Sequence, residues 1–250
     1  MNELGPAVDR IIEAQKATGR PLAIVLAGHN GSGKSTMWRK TLSEQLRIPL
    51  INADRMMLSI LPEPNDDGVL ADWARELRDT NLGWMRVAQR GVQAFVAHAM
   101  QAKVPFSMET VFSHWRKRLD GTIESKIDQI GEMQTAGYFV LLLFVGLTSA
   151  ELSLLRVQTR VAMNGHDVDP ARLIQRFPRT QMAINAAMEV ADASILLDNS
   201  RDIKQAFTVC SVRLGTERLF DLRLGEKTVP MSIRTWLDVV CPLAGTRATK

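Results

Sequence analysis

Two rhythms of apolar residues run through this chain: short unbroken apolar runs, and longer stretches in which apolar side chains return every three or four positions. Residues 6–18 follow the second rhythm, with Val8, Ile11, Ile12 and Gln15 sharing a face and Gly19 as a stop, which predicts an amphipathic helix. Residues 22–27 are an apolar run of strand length, 34–46 predict a helix, and 48–52 predict a second short strand. The sequence PEPNDDG marks a loop at 62–68, and 70–103 reads as mostly helix with a break near 80–83. Residues 105–110 read as a third strand, and 114–136 as a helix ended by Gly137. Residues 139–145 are apolar at every position, as in a central strand covered on both faces. Thr148 with Glu151 predicts a capping box for a helix reaching about residue 163. Asp169 and Pro170 open the next helix, which Pro178 is expected to bend or interrupt. A fifth strand is expected at 193–197, and a tail hairpin with arms 208–214 and 218–222.

Strands alternating with helices imply a mainly parallel, five-stranded sheet with helices on both faces, an α/β three-layer sandwich. The 250 residues, 46% of them hydrophobic, suffice for the core of one domain. That core is expected over about 20–200, preceded by a helix in 1–19 and followed by an extension in 201–250. In such sheets ligands bind beyond the carboxyl ends of the strands, so residues that follow strands converge on one crevice.

The first strand runs into GHNGSGKST at 28–36, a match to GxxxxGK[ST] between a strand and a helix. Gly28, His29, Asn30, Gly31, Ser32, Gly33, Lys34, Ser35 and Thr36 are therefore the candidate phosphate loop of a P-loop kinase-like fold. Its backbone N–H groups and the following helix dipole would cradle the phosphates of ATP. Lys34 would reach the β- and γ-phosphates, and the Ser35 hydroxyl would hold Mg²⁺. Asp54 and Glu109 follow strands two and three, on the same rim as Lys34. The long apolar strand ends in Gly146, not an acid, so Asp54 or Glu109 must supply the carboxylate that accompanies the metal. Each has a structural alternative: Asp54 as the N-cap of a helix, Glu109 as a strand end facing water.

Arg156, Arg160, Arg172, Arg176 and Arg179 read either as a solvated helix face or as phosphate contacts. Arg160 and Arg176 are preferred for the second role because they flank the Gly-containing connector at 164–168, and Arg179, next to Pro178, is a third candidate. His166 is expected to stabilise that connector and His114 to open a helix. Trp73, Trp84 and Met85 are expected to be packing residues, while Asp198 and Asn199 could border an adenine.

GHNGSGKST, Asn52-Ala-Asp54, Met108-Glu-Thr110 and the arginine-rich 156–179 segment containing GHDVDP together resemble the zeta toxin family of P-loop kinases, over about the first 200 residues. That resemblance implies ATP and Mg²⁺ as cofactors and transfer of phosphate to a hydroxyl of a UDP-linked amino sugar such as UDP-N-acetylglucosamine. It implies Lys34, Asp54, Arg160 and Arg176 as catalytic residues, with Asp54 the general base. It implies Glu109, Thr110 and Arg179 at the substrate, and an antitoxin protein as partner. Two other readings stay open: a kinase of the same architecture that modifies an antibiotic or metabolite, and a nucleotide-gated switch whose hydrolysis drives binding to a protein.

Charge and composition add exclusions. Lys plus Arg, at 31, barely exceed Asp plus Glu, at 27, which argues against a nucleic-acid surface. The longest apolar run is too short to span a bilayer and the first residues lack a signal pattern, so no membrane association and a cytoplasmic location are expected. Cys210 and Cys241 are too few and too far apart to suggest a metal cluster.

Overall fold

The computed structural model describes residues 3–163, 168–226 and 228–243. Its strands are β1 (Leu22–Gly28), β2 (Leu50–Ile51), β3 (Phe106–Thr110), β4 (Trp115–Lys117), β5 (Ile123–Ser125), β6 (Phe139–Gly146), β7 (Ala193–Asp198), β8 (Thr208–Leu214) and β9 (Glu217–Asp221). Seven of them form one sheet in the order β2-β3-β1-β6-β7-β8-β9, parallel through β7 and antiparallel beyond it. The five parallel strands are those expected. The sheet is larger because the tail hairpin docks on β7, with a bulge between Leu196 and Leu197, and does not stand apart.

Alternation along the strands divides the core into two. On one face Ile24, Leu26, Leu141 and Leu143 pack with Val8 and Ile11 of α1 (Leu4–Thr18) and with Met37, Trp38 and Leu42. These last three belong to the helix after the phosphate loop, which runs from α2 (Lys34–Met37) through a π-helical turn, Trp38–Leu42, into α3 (Ser43–Leu46). On the other face Val25, Met108, Leu142 and Phe144 meet residues of α6 (Leu82–Ala102), α7 (Ile127–Thr135), α9 (Pro170–Met188) and α10 (Met231–Val240). The remaining helices are α4 (Ala53–Ser59), α5 (Asp72–Asp79) and α8 (Ala150–Ala162).

Two local expectations are corrected, and a third, for Pro178, is narrowed. Residues 114–126 are not helical: β4 and β5 form a hairpin whose turn is set by Gly121 at φ +85°, where the Thr122 N–H and hydroxyl donate to Asp120. An Asp-Gly pair between short strands favours this turn over a continued helix. His114 accordingly opens no helix and sits 2.8 Å from Glu124 across the hairpin. The cap of α8 is Ser149, whose hydroxyl accepts from the Leu152 N–H, while the Thr148 N–H donates to Ser200. Pro178 lies inside α9 without ending it. Proline removes the donor for the carbonyl four residues back, here that of Ile174, which is exposed, so water can take the donor's place.

The tail is tied together internally and also packs against the body. Arg223 donates to both carboxylate oxygens of Asp221, to Asp238 and to the Cys241 carbonyl, joining β9 to α10. Trp236 of α10 lies against Gly146, where an added Cβ would fall 2.1 Å from its ring.

Candidate active site

The phosphate loop begins where β1 leaves the middle of the sheet. A Cβ on Gly28 would stand 2.4 Å from the Val145 carbonyl oxygen, so the loop's first residue has no room for a side chain. Gly33, at φ +87°, turns the loop into α2 in a conformation that L side chains rarely adopt. Two side chains from elsewhere hold the loop between these points. The Ser153 hydroxyl donates to the Asn30 carbonyl at 2.6 Å, and the Asn199 amide to the Ser32 carbonyl at 2.8 Å. Asn199 thus braces the loop, and Asp198 pairs with Arg201 at 3.1 Å.

Lys34 is buried, and its ammonium donates to the carbonyls of Gly28 and His29, both at 3.0 Å. Glu109 stands 3.9 Å away. Burial pulls the Lys34 pKa below its usual value; Glu109 and Asp54 oppose that shift, and Arg160 adds to it. The cation is therefore under-compensated, and a bound anion would relieve it.

Glu109 reaches this point because of the strand's alternation. Phe106 and Met108 of β3 face the α6 side, which turns Ser107 and Glu109 toward the helix that follows the loop. The Ser35 hydroxyl donates to Glu109 at 2.9 and 3.1 Å, and the Asn52 amide donates at 2.7 Å. Asn52 also caps α4, its side-chain oxygen accepting from the Arg55 N–H. The cap is therefore Asn52 and not Asp54, which leaves Asp54 exposed in the first turn of α4. Thr110 follows Glu109, and its hydroxyl accepts from the Phe112 N–H.

Asp54 borders a cleft of about 290 Å³ lined by Met57, Leu70, Arg78, Met85 and Ala88 among others. Arg78 is held by Asp79, with contacts at 2.7 and 2.8 Å; that bond, with the charges of Asp79 and Asp54, raises its pKa. A second, almost wholly apolar hollow of about 310 Å³ adjoins it through Met57, lined also by Ile60, Leu61, Trp73, Leu77 and Trp84. Trp73 and Trp84, 58% and 42% exposed, pack as walls of this hollow.

Among the arginines, Arg160 lies close enough to Lys34 to depress its pKa. Arg176 is half-buried on α9, where burial and the neighbouring Arg172 and Arg179 lower its own. Arg156 packs against Gly31, where an added Cβ would fall 3.0 Å from the Arg156 Cβ. Residues 164–167, with His166, lie outside the described residues. Sequence reasoning quoted Asn52 in a motif but gave it no role, and it overlooked Arg78 and the stacking of His29 on Phe177. An Asn placed before a helix was a readable cap signal; the other two depend on long-range packing.

Glu109 thus meets Ser35 and Lys34 of the loop, Asp54 is near enough to act on the charge of Lys34, and residues 8–206 match the family model described as zeta toxin. The chain belongs to the zeta toxin family. Solved structures agree in fold. A chain of the PezAT chromosomal toxin–antitoxin system of Streptococcus pneumoniae is 14% identical, with a TM-score of 0.51, covering 93% of this chain and 85% of that one. A chain of the AvrRxo1-ORF1:ORF2 complex is 14% identical, with a TM-score of 0.59 over 95% of this chain and 69% of that one. The same complex solved with ATP gives 13% identity and a TM-score of 0.58, over 98% and 71%. No curated protein matches. Membership in the zeta toxin family supports a nucleotide-binding phosphotransferase of the kinase type. No described helix is long and apolar enough to cross a membrane.

Proposed function

We propose that this chain is an ATP- and Mg²⁺-dependent kinase that transfers the γ-phosphoryl group to a hydroxyl of a small molecule, with a UDP-linked amino sugar as the acceptor. The observation that carries the reading is the placement of Glu109: bonded to Ser35 and Asn52, 3.9 Å from Lys34, at the strand end beside the phosphate loop. Phosphoryl transfer asks the protein for positioning and charge, with little covalent chemistry, and these residues are suited to both.

The loop N–H groups and Lys34 bind the phosphate chain. Lys34 exchanges its two carbonyl contacts for phosphate oxygens, which restores the charge that burial opposes. Ser35 and Glu109 offer the oxygen donors a hard cation requires, and Mg²⁺ bound there would neutralise charge on the β- and γ-phosphates. Asp54, at the edge of the acceptor cleft, orients the incoming hydroxyl and takes its proton. Arg160 and Arg176 carry the positive charge that meets the migrating phosphoryl group. Arg78 lies across the acceptor cleft, suited to an anionic acceptor such as a nucleotide sugar. An antitoxin partner accords with the toxin–antitoxin system to which one structural neighbour belongs.

The test is purified protein with ATP and Mg²⁺ against a panel of UDP-sugars and common metabolites, read by mass, with Lys34→Ala as control. A phosphorylated UDP-amino sugar, absent with the variant, is the expected result. A different phosphorylated product moves the acceptor elsewhere, and release of inorganic phosphate alone overturns the kinase reading.

A further inference from the structure

Within the phosphate loop one side chain turns away from the phosphate position into the protein. His29 is 2% exposed and its ring lies flat on Phe177 of α9, with centroids 4.0 Å apart and planes inclined by 13°. The edge of the same aromatic group meets Phe144 of the central strand at 5.6 Å and 72°. The main chain of His29 meanwhile forms the inner turn of the loop, its carbonyl accepting from the Ser32 N–H at 3.2 Å and from Lys34 at 3.0 Å. One residue therefore joins the loop, the central strand and α9.

The residue preceding Phe177 is Arg176. Its neighbours Arg172 and Arg179 repel it on its own helix, so an aromatic contact supplies attachment that charge there does not. The imidazole is suited to this contact because it stays neutral: burial first, then the charge of Lys34, hold its pKa near 3. The Nε2 atom is buried with no hydrogen-bond partner, so the ring is kept there for its face and not for a bond made by that nitrogen.

We propose that His29 is a positioning residue which, through its stack on Phe177, fixes α9 and with it Arg176 against the phosphate loop. The role belongs to its ring, which is buried between Phe177 and Phe144, while its main chain is part of the loop. The inference rests on the kinase reading only in giving Arg176 its role.

Hydrogen exchange on the full chain, with and without ATP and Mg²⁺, separates the two. In the wild type nucleotide slows exchange at 28–36 and also at 170–188. In His29→Ala the protection at 28–36 persists while that at 170–188 is lost. Phe177→Ala gives the same pattern from the opposite side and serves if His29→Ala does not fold. His29→Phe, which keeps an aromatic face, restores the protection. In turnover, His29→Ala lowers kcat about tenfold with KM for ATP little changed, and adds almost nothing in an Arg176→Ala background, as expected for coupled residues. Equal protection of 170–188 in wild type and His29→Ala, or a change in KM alone, overturns the proposal. Protection at both segments without phosphorylation of any acceptor sinks the kinase reading and leaves the stack standing. Absence of ATP protection at 28–36 in the wild type sinks both.

Discussion

On the β1 side of the crevice the loop is braced from several directions: Ser153 and Asn199 hold its carbonyls, Phe177 holds His29, and Gly28 sits against the Val145 carbonyl. On the β2 side the wall is loose. Asp54 lies exposed, and Leu58, Trp73, Leu82, Trp84 and Phe95 of α4, α5 and α6, with Ile60 just past the end of α4, present apolar surface to solvent. On the kinase reading proposed above, the difference follows from what each side would recognise. A triphosphate is the same in every turnover, and donors largely fixed in advance would stabilise it. The wall with unspent apolar surface would have contacts still to make, with a ligand or a partner.

The contrast predicts that substitutions on the tight side act on kcat and those on the loose side on acceptor KM. The largest effect is expected from Glu109→Gln, which removes the negative charge facing Lys34 and Ser35. Turnover should fall by about 10²–10³-fold, while single-turnover assays at saturating ATP remain slow; a change confined to acceptor KM would erase the distinction.

The next effect is on stability. Burial, and after it the charge of Lys34, hold the folded pKa of His29 at about 3, against an ordinary value of 6.5. Below about pH 6.5 the unfolded chain takes up a proton that the native ring refuses, so this contribution is complete above that pH and is lost as pH falls toward 3. The slope is at most about 1.4 kcal/mol per pH unit. Urea midpoints of the wild type between pH 7 and 5 should therefore fall more steeply than those of His29→Phe. Parallel lines would mean that the ring titrates freely in the native state.

The smallest effect is expected from Trp84→Ala. An exposed side chain contributes little to folding, so stability should shift by less than about 0.5 kcal/mol, and kcat and the KM for ATP should hold. Acceptor KM should rise, by about three- to tenfold, as an apolar contact worth about 1 kcal/mol is lost. Unaltered acceptor KM in steady-state assays would assign the tryptophan hollow to something other than the acceptor.

The tight side was also the more legible in sequence. A phosphate loop is a local pattern, and five apolar runs of strand length place it at the sheet's end. Asp54 and Glu109 could be found because each follows a strand. The loop's braces could not: Ser153 is 123 residues from Asn30, and Asn199 is 167 from Ser32. Trp73 and Trp84 were read as packing residues, and they pack as the walls of a hollow open to solvent. In the 114–126 stretch a helix was expected where Asp120-Gly121 sets the turn of a hairpin.

The family match ends at residue 206, but the folded unit does not. A chain cut there would strip β7 of its antiparallel neighbour and expose the edge of a strand that is buried along its whole length, a template for pairing between molecules. It would also uncover Gly146, at the end of the central strand, by removing Trp236. The described residues beyond 206 thus close the sheet that carries the phosphate loop, and homology alone would trim them away.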